Sequence, residues 1–250
     1  MIPVEFDYAR PDSVDGVTAL LVEPGSVVLA GGQSLITDLK ARRKNPRVVV
    51  DLAGVLGLGE ITATAESITV GATVSQTAVV SHPEVIARLP LLVEVARAVA
   101  DPMVRRRGTL VGACCEVAPG GDWPAAALAL DGTALVVGPH GTREVALTDF
   151  VVGPYRTDLR PGEFVRSIRF PTPAAGFSAY RKVKHAAVGW SIASVAVVGS
   201  RIAVSGAPTF PQLIAGPDAL DTLDYQGDYY ASAAYRRRRL GVLLRRTLAE

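Results

Sequence analysis

Two adjacent glycines, Gly31 and Gly32, separate a short apolar run from a segment with helical spacing. Residues 26–30 are predicted to form a strand, and the segment that starts at Leu35 is predicted to form a helix. Where a strand becomes a helix across glycines, several backbone N–H groups lack acceptors and point one way, as in sites that bind phosphate. We therefore expect an anion-binding loop, although an ordinary strand–turn–helix connection has the same pattern. This first loop comprises Ala30, Gly31, Gly32, Gln33, Ser34 and Leu35.

A second segment of small residues runs from Gly108 to Ala113 and carries a hydroxyl at Thr109. Asp122 follows it, and a carboxylate at such a place can accept a hydrogen bond from a ribose hydroxyl. Two small-residue loops together with an acid are more typical of a dinucleotide site than one loop alone. The arginines at 105–107 either form a solvated turn or neutralise a ligand phosphate, and the sequence leaves both interpretations open.

The only two cysteines are neighbours, Cys114 and Cys115, and three interpretations of them stay open. They can be small packed side chains, a reactive thiol whose pKa the nearby arginines lower, or a vicinal disulfide. Two adjacent thiols cannot by themselves build an iron–sulfur or zinc cage. The three histidines are scattered without the spacing of metal ligands. We therefore expect no metal site, and the sequence identifies no catalytic residue.

Composition narrows the class of protein. The chain has 250 residues, 49% of them hydrophobic, which suffices for one large or two modest domains. No apolar run approaches the ~20 residues of a membrane span, and the first residues have neither the basic start nor the apolar block of a signal peptide. The net charge of +2 gives no argument for nucleic acid. We expect a cytoplasmic protein that binds neither membranes nor nucleic acid.

Strand and helix signals divide the chain into three parts. In residues 1–55, predicted helices at 13–21 and 35–43 alternate with strands, which is typical of a small α/β unit. Residues 56–173 mix helices with strands. Within them, Ser81 and Glu84 resemble a capping box that starts a helix, which Pro90 interrupts before it continues to residue 100.

The third part, residues 174–250, is predicted to contain strands and one long helix. Strands at 191–198 and 201–205 are joined by Gly199 and Ser200, which predicts a hairpin. The closing helix is expected over 229–248. Its arginine run at 236–239 is expected to be a solvated helix face or a contact with a partner.

The order and spacing of these motifs resemble the FAD-binding middle subunit of molybdenum hydroxylases, the family of the carbon monoxide dehydrogenase and xanthine dehydrogenase flavoproteins. The resemblance covers nearly the whole chain, and the first loop corresponds to the family's first flavin motif. The other landmarks are residues 89–92, 101–102, 105–109, 122–126, 150–155, 161–163 and 232–237.

The resemblance implies an α+β fold in three pieces. A two-part FAD-binding domain, made of a small α/β unit (1–55) and a larger α+β unit (56–173), is followed by a small α+β C-terminal domain (174–250) over the flavin. The pyrophosphate of FAD would contact both small-residue loops. The cofactor-binding residues implied are the first loop together with Thr109, Val111, Gly112, Ala113, Asp122, Val165 and Lys182.

The resemblance also implies partners. Electrons would arrive from an iron–sulfur subunit that is served by a molybdenum-cofactor subunit, and FAD would pass them to NAD or another small-molecule acceptor. Two alternatives stay open. The chain could be a stand-alone flavoprotein of a biosynthetic pathway, using FAD as an oxidant or as a scaffold for a non-redox step. It could also bind no flavin and only support partners.

The sequence departs from the family pattern mainly in the second loop. Where the family usually has Thr–apolar–Gly–Gly and a polar residue, Val111 replaces a glycine and Ala113 the polar residue. A β-branched residue resists positive φ, so we expect strain at Val111 and a looser pyrophosphate contact. Cys114, Cys115 and Glu116 stand where small or apolar residues and a His are usual, and Gly189 stands where an acid is common.

Overall fold

The computed structural model describes residues 2–173, 176–185 and 189–249. Residues 1, 174, 175, 186–188 and 250 lie outside the described residues. The start of the first predicted unit, the end of the third, and the junction of the second and third at 173/174 therefore fall on residues that are not described. The described chain is an α+β fold, as expected. Its three main sheets draw their strands from residues 7–51, 61–171 and 178–214. The division into three units stays a prediction.

The first sheet is parallel and has the strand order β1-β3-β2. Strands and helices alternate as the sequence predicts. The short continuous apolar runs form the strands, and the segments with apolar residues at helical spacing form the helices. Helix α2 ends at Lys40, earlier than expected, because Arg42 adopts a positive φ of 56° that no α-helix continues through. The elements are β1 (Asp7–Ala9), α1 (Val14–Leu21), β2 (Ser26–Leu29), α2 (Leu35–Lys40) and β3 (Val48–Asp51).

The second sheet is antiparallel, with the order β4-β5-β10-β6-β7, and helices cover it. The buried side chains of Trp123, Phe150, Phe164 and Phe170 form the centre of its core. Its strands are β4 (Ile61–Ala63), β5 (Ser67–Gly71), β6 (Thr133–Gly138), β7 (Gly141–Ala146) and β10 (Phe164–Pro171), and β8 (Val151–Gly153) pairs with β9 (Arg156–Thr157). Its helices are α3 (Gln76–Ser81), α4 (Pro83–Arg88), α5 (Pro90–Ala98), α6 (Pro102–Arg107), α7 (Leu110–Glu116), α8 (Asp122–Ala129) and α9 (Leu147–Phe150).

The capping box expected at Ser81 and Glu84 is wrong. Ser81 is the last residue of α3, which begins after Ser75, whose hydroxyl accepts a hydrogen bond from the N–H of Ala78. The next two helices each begin with a proline, Pro83 and Pro90, in the first turn. A proline is tolerated there because its missing N–H would have no intrahelical acceptor. Pro90 therefore starts a helix rather than interrupting one.

The third sheet is antiparallel, with the order β11-β12-β13-β14, and one long helix packs against it. The predicted hairpin is confirmed, with Val198 paired to Arg201 across Gly199 and Ser200. The opposite face of this sheet packs on α8 through β12 and β13. The elements are β11 (Ser178–Lys184), β12 (Ser191–Val198), β13 (Arg201–Ser205), β14 (Gln212–Ile214) and α10 (Ala233–Leu248). Helix α10 starts later than expected because Ser232 caps it.

The expectation that all four arginines of α10 are solvated is wrong for Arg236, whose side chain is buried. One terminal nitrogen of its guanidinium donates to the carbonyls of Ile192 and Gly206, at 3.1 and 2.7 Å. The other donates to Asp228 at 2.6 Å. A guanidinium with five fixed donors suits several acceptors at once. Arg236 therefore ties α10 to the ends of β12 and β13.

We predict that Arg236→Met destabilises the chain by about 2–4 kcal/mol, because it leaves buried carbonyl groups without donors. The matched control is Arg237→Met, since Arg237 pairs with the exposed Asp221 and such surface pairs contribute little. Chemical denaturation of both variants measures the difference. Equal stability of the two variants would contradict this role for Arg236.

Candidate functional site

A cavity of about 1070 Å³ opens where the first and second sheets meet, and Gly189 and Trp190 add to its wall from the third part of the chain. Its volume lies at the upper end of the ~300–1000 Å³ usual for ligand pockets, as an extended dinucleotide requires. Every residue predicted to bind the cofactor lines it except Lys182. Those that line it are Ala30, Gly31, Gly32, Gln33, Ser34, Leu35, Thr109, Val111, Gly112, Ala113, Asp122 and Val165. That they contact FAD stays a prediction.

The first loop has the backbone that an anion site needs. The N–H groups of residues 31–34 donate to no described acceptor, and these residues directly precede α2. A methyl group at Gly31 would lie 2.2 Å from the carbonyl oxygen of Arg107, so the first loop packs directly on the backbone before the second loop. Gly32 has a positive φ of 75°. Glycine is required at both positions, for space at Gly31 and for conformation at Gly32.

The second small-residue segment, which the sequence predicts as a loop, is mostly helical. Residues 110–113 form the first turn of α7, and Thr109 is its N-cap, accepting a hydrogen bond from the N–H of Gly112 at 3.0 Å. Val111 is a buried helical residue that is absent from the described positions with positive φ. The strain expected at Val111 is therefore wrong. The N–H groups of Leu110 and Val111 have no acceptor within the helix, and they supply the second set of donors.

Two buried polar atoms at the cavity have no partner among the described residues: Oε1 of Gln76 and Nε1 of Trp123. Burying such an atom without a hydrogen bond is costly, and unsatisfied atoms that cluster at a cavity indicate a polar ligand. With the unpaired N–H groups of the first loop, they provide donors and an acceptor along one cavity. The residues present thus fit a dinucleotide.

Asp122 is the polar centre between α8 and the third sheet. One carboxylate oxygen accepts hydrogen bonds from the hydroxyls of Tyr180 and Ser191, and the other accepts one from the ammonium of Lys182 at 2.7 Å. Burial, and then the neighbouring carboxylate of Asp122, raise the pKa of Tyr180 well above its usual value, so the hydroxyl keeps its proton and donates. Asp122 lines the cavity, but its carboxylate already accepts hydrogen bonds from Tyr180, Lys182 and Ser191.

The thiols of Cys114 and Cys115 are both free, and the structure favours packed side chains over a reactive nucleophile or a disulfide. Burial, with help from Glu116, raises the pKa of Cys115 to about 12. Burial also raises the pKa of Cys114. A thiolate is the reactive form of cysteine, so neither thiol is poised for reaction near neutral pH. Among the described residues, no group of three or more His, Cys, Asp or Glu could hold a metal ion.

Residues 159–163 form part of the cavity wall, and Arg143 of β7 holds the segment from Asp158 to Glu163. The guanidinium makes a two-point contact with the carboxylate of Glu163, at 2.9 and 2.7 Å, and a further ion pair with Asp158 at 2.6 Å. These hydrogen bonds from Arg143 lower the pKa of Glu163. No sequence signal pointed to Arg143, because its partners Asp158 and Glu163 lie 15 and 20 residues away, and the landmark at 161–163 does not say which residue pairs with it.

A glycine-rich joint at a cavity of this size, between a parallel and an antiparallel sheet, is the arrangement expected of a protein that binds a dinucleotide cofactor. The chain belongs to the family described as the FAD binding domain in molybdopterin dehydrogenase, whose family model matches residues 4–173. It therefore binds FAD and is part of an oxidoreductase of the molybdenum hydroxylase type. No helix in the described parts of the chain is long and apolar enough to cross a membrane.

Named relatives support this assignment. The carbon monoxide dehydrogenase medium chain of Hydrogenophaga pseudoflava is 39% identical over 79% of this chain and 70% of its own length. The nicotine 6-hydroxylase medium subunit of Paenarthrobacter nicotinovorans is 32% identical over 97% of this chain and 96% of its own. The structure superposes with a TM-score of 0.94 and 31% identity on a carbon monoxide dehydrogenase from Hydrogenophaga pseudoflava lacking the Mo-pyranopterin moiety, covering 100% of this chain and 98% of that one.

We predict that Gly31→Ala weakens FAD binding at least about tenfold, because the methyl group forces the first loop away from Arg107 and misplaces the N–H donors. Losing one hydrogen bond to a charged group costs about 1.5–3 kcal/mol, which is that factor or more. The control is Gly153→Ala, where a methyl group meets nothing within 4 Å. Fluorescence titration of both apoproteins with FAD measures the effect, and an unchanged affinity in Gly31→Ala would contradict it.

We also predict that Arg143→Met weakens FAD binding by about 1 kcal/mol, roughly fivefold, since the segment that lines the cavity loses its ion pairs. Arg169→Met is the control, because Arg169 pairs with Glu144 on the same sheet away from the cavity.

The Arg143–Glu163 ion pair also makes FAD binding depend on pH. Its contribution is fully present above the ordinary carboxyl pKa of about 4.3 and is lost as the pH falls through the lowered pKa of Glu163. FAD titrations at a series of pH values from 7 down through the acidic range would show this loss in the parent and not in Arg143→Met.

Proposed function

We propose that this chain is the electron-transferring FAD subunit of a molybdenum hydroxylase complex. An iron–sulfur subunit, served by a molybdenum-cofactor subunit that oxidises a small-molecule substrate, would deliver the electrons. NAD or another acceptor would take them. The observation that carries this proposal is that the first loop, the first turn of α7 and Trp190 line one and the same cavity. We also propose a cytoplasmic location, which two free thiols favour.

The residues of this chain bind and shield the cofactor rather than react. The unpaired N–H groups of residues 31–34 and of the first turn of α7 would donate to the pyrophosphate, as at other helix N-termini. Gln76 and Trp123 would satisfy their buried polar atoms on the ligand. Trp190 would cover the open side of the cavity. When bound, FAD supplies both one-electron and hydride chemistry.

The need for partners follows from the residues that this sequence contains. An iron–sulfur cluster is generally held by four thiolates, and the sequence has two cysteines, adjacent in α7 and both with raised pKa values. Metal-dependent oxidation of a substrate therefore requires other chains. The names of the relatives support the same role, since both relatives above are called medium chain or medium subunit.

The test is co-expression of this chain with the products of neighbouring genes, followed by anaerobic mixing with candidate substrates. We expect a stable complex with oxidised-flavin absorption near ~370 and ~450 nm. Substrate should bleach the ~450 nm band in the complex and not in this chain alone. NAD is the acceptor if it restores that band anaerobically, and another acceptor is used if only an added dye restores it.

Two outcomes would contradict the subunit role. If the purified chain is yellow and oxidises a substrate without partners, it is a stand-alone flavoprotein. If the purified chain is colourless and takes up no added FAD, it supports partners without a redox role.

A further inference from the structure

The ammonium of Lys182 is fully engaged within the protein. It donates to the carboxylate of Asp122 and to the carbonyl of Gly189, both at 2.7 Å, and to the carbonyl of Ala98 at 3.3 Å. A lysine ammonium has three donors, so these three acceptors satisfy it. The side chains of Lys182 and Asp122 are each only 6% exposed. Lys182 does not line the cavity and has no donor left for a ligand.

The three groups that accept hydrogen bonds from Lys182 belong to three separate segments that contribute to the cavity wall. Asp122 begins α8, Ala98 ends α5, and Gly189 precedes Trp190. Asp122 and Gly189 line the cavity themselves, and so do the residues that follow Ala98, Val99 and Ala100. The last carbonyl groups of a helix attract cations, so the end of α5 is a favourable place for the ammonium.

Two of these segments also touch each other directly. A methyl group at Gly189 would lie 3.0 Å from the Cα atom of Ala100, so the two backbones are in contact. Ala100 has a positive φ of 38°, an unfavourable conformation that persists only when surrounding contacts impose it. Lys182 supplies such contacts on both sides, through Ala98 and Gly189. Trp190, next to Gly189, is 54% exposed and offers an aromatic face at this end of the cavity.

We propose that Lys182 is a positioning residue that acts on FAD without touching it. By holding the 98–100 segment and the 189–190 segment to Asp122, it sets the gap that receives the flavin ring against Trp190, since planar rings pack on aromatic faces. The proposal rests on FAD binding and not on the identity of the electron donor or acceptor. It also assigns a role to Gly189, because a side chain there would push the two segments apart.

The main test compares two ligands in Lys182→Met apoprotein. FAD affinity is measured by fluorescence titration, and ADP, which carries the diphosphate but no flavin ring, is measured as a competitor of FAD. We expect FAD to bind at least about tenfold more weakly and the ADP constant to stay within about twofold, because Lys182 contacts neither the first loop nor the first turn of α7. Bound flavin should also show an altered visible circular dichroism spectrum. Lys184→Met, on the same strand but exposed, should leave all three readouts as in the parent.

A second pair of variants keeps the test valid if Lys182→Met folds poorly with a buried, unpaired Asp122. The double variant Lys182→Met/Asp122→Asn removes both charges. Asp122→Asn alone keeps the lysine contacts to the carbonyls of Ala98 and Gly189. We expect the double variant to bind FAD at least about fivefold more weakly than Asp122→Asn.

Three results would overturn the role of Lys182. They are unchanged FAD affinity in Lys182→Met, a parallel loss of FAD and ADP binding, or equal FAD affinity of Asp122→Asn and the double variant. Failure of the parent itself to bind FAD would instead contradict the cofactor assignment. The two kinds of failure are therefore distinguishable.

Discussion

The site depends on one backbone-to-backbone contact. At Gly31 the first loop lies so close to the carbonyl of Arg107 that even a methyl group would overlap it. This contact sets the first turn of α7 beside the N-terminus of α2, so that two sets of unpaired N–H groups line one cavity. Each set alone is an ordinary helix start, and together they suit the two phosphates of a dinucleotide.

A second constraint is electrostatic and joins the cofactor site to the third sheet. Asp122 stands at the start of α8 and is buried, so its charge needs donors. Tyr180, Lys182 and Ser191 all come from the strands of the third sheet and supply them. The wall segment containing Gly189 and Trp190 is thereby tied to the start of α8. Arg143, which also lies outside the cavity, holds the segment from Asp158 to Glu163 through ion pairs in the same way.

Some features were predictable because their signals are local. The first loop, the alternation of the first sheet and the hairpin at Gly199 and Ser200 depend on neighbouring residues and have short sequence patterns. The capping box predicted at Ser81 is wrong because Ser81 is the last residue of α3, which Ser75 caps, and the next helix begins after His82. The small residues at 108–113 predict a loop because glycine and threonine suit turns, whereas Thr109 caps a helix that burial of Leu110 and Val111 stabilises.

The sequence by itself determined the alternation of strands and helices in the first unit and the glycine joint at Gly31 and Gly32, because apolar periodicity and glycine conformation act over a few residues. The α+β class followed from the resemblance to FAD-binding subunits, which rests on the order and spacing of motifs along the chain. Only the tertiary structure decided what Asp122, Lys182, Arg143 and Arg236 do. The sequence offers each of them as a charge that could face solvent or a ligand. Their partners lie 7 to 84 residues away, and a buried charge takes whichever acceptors or donors the packed chain brings to it.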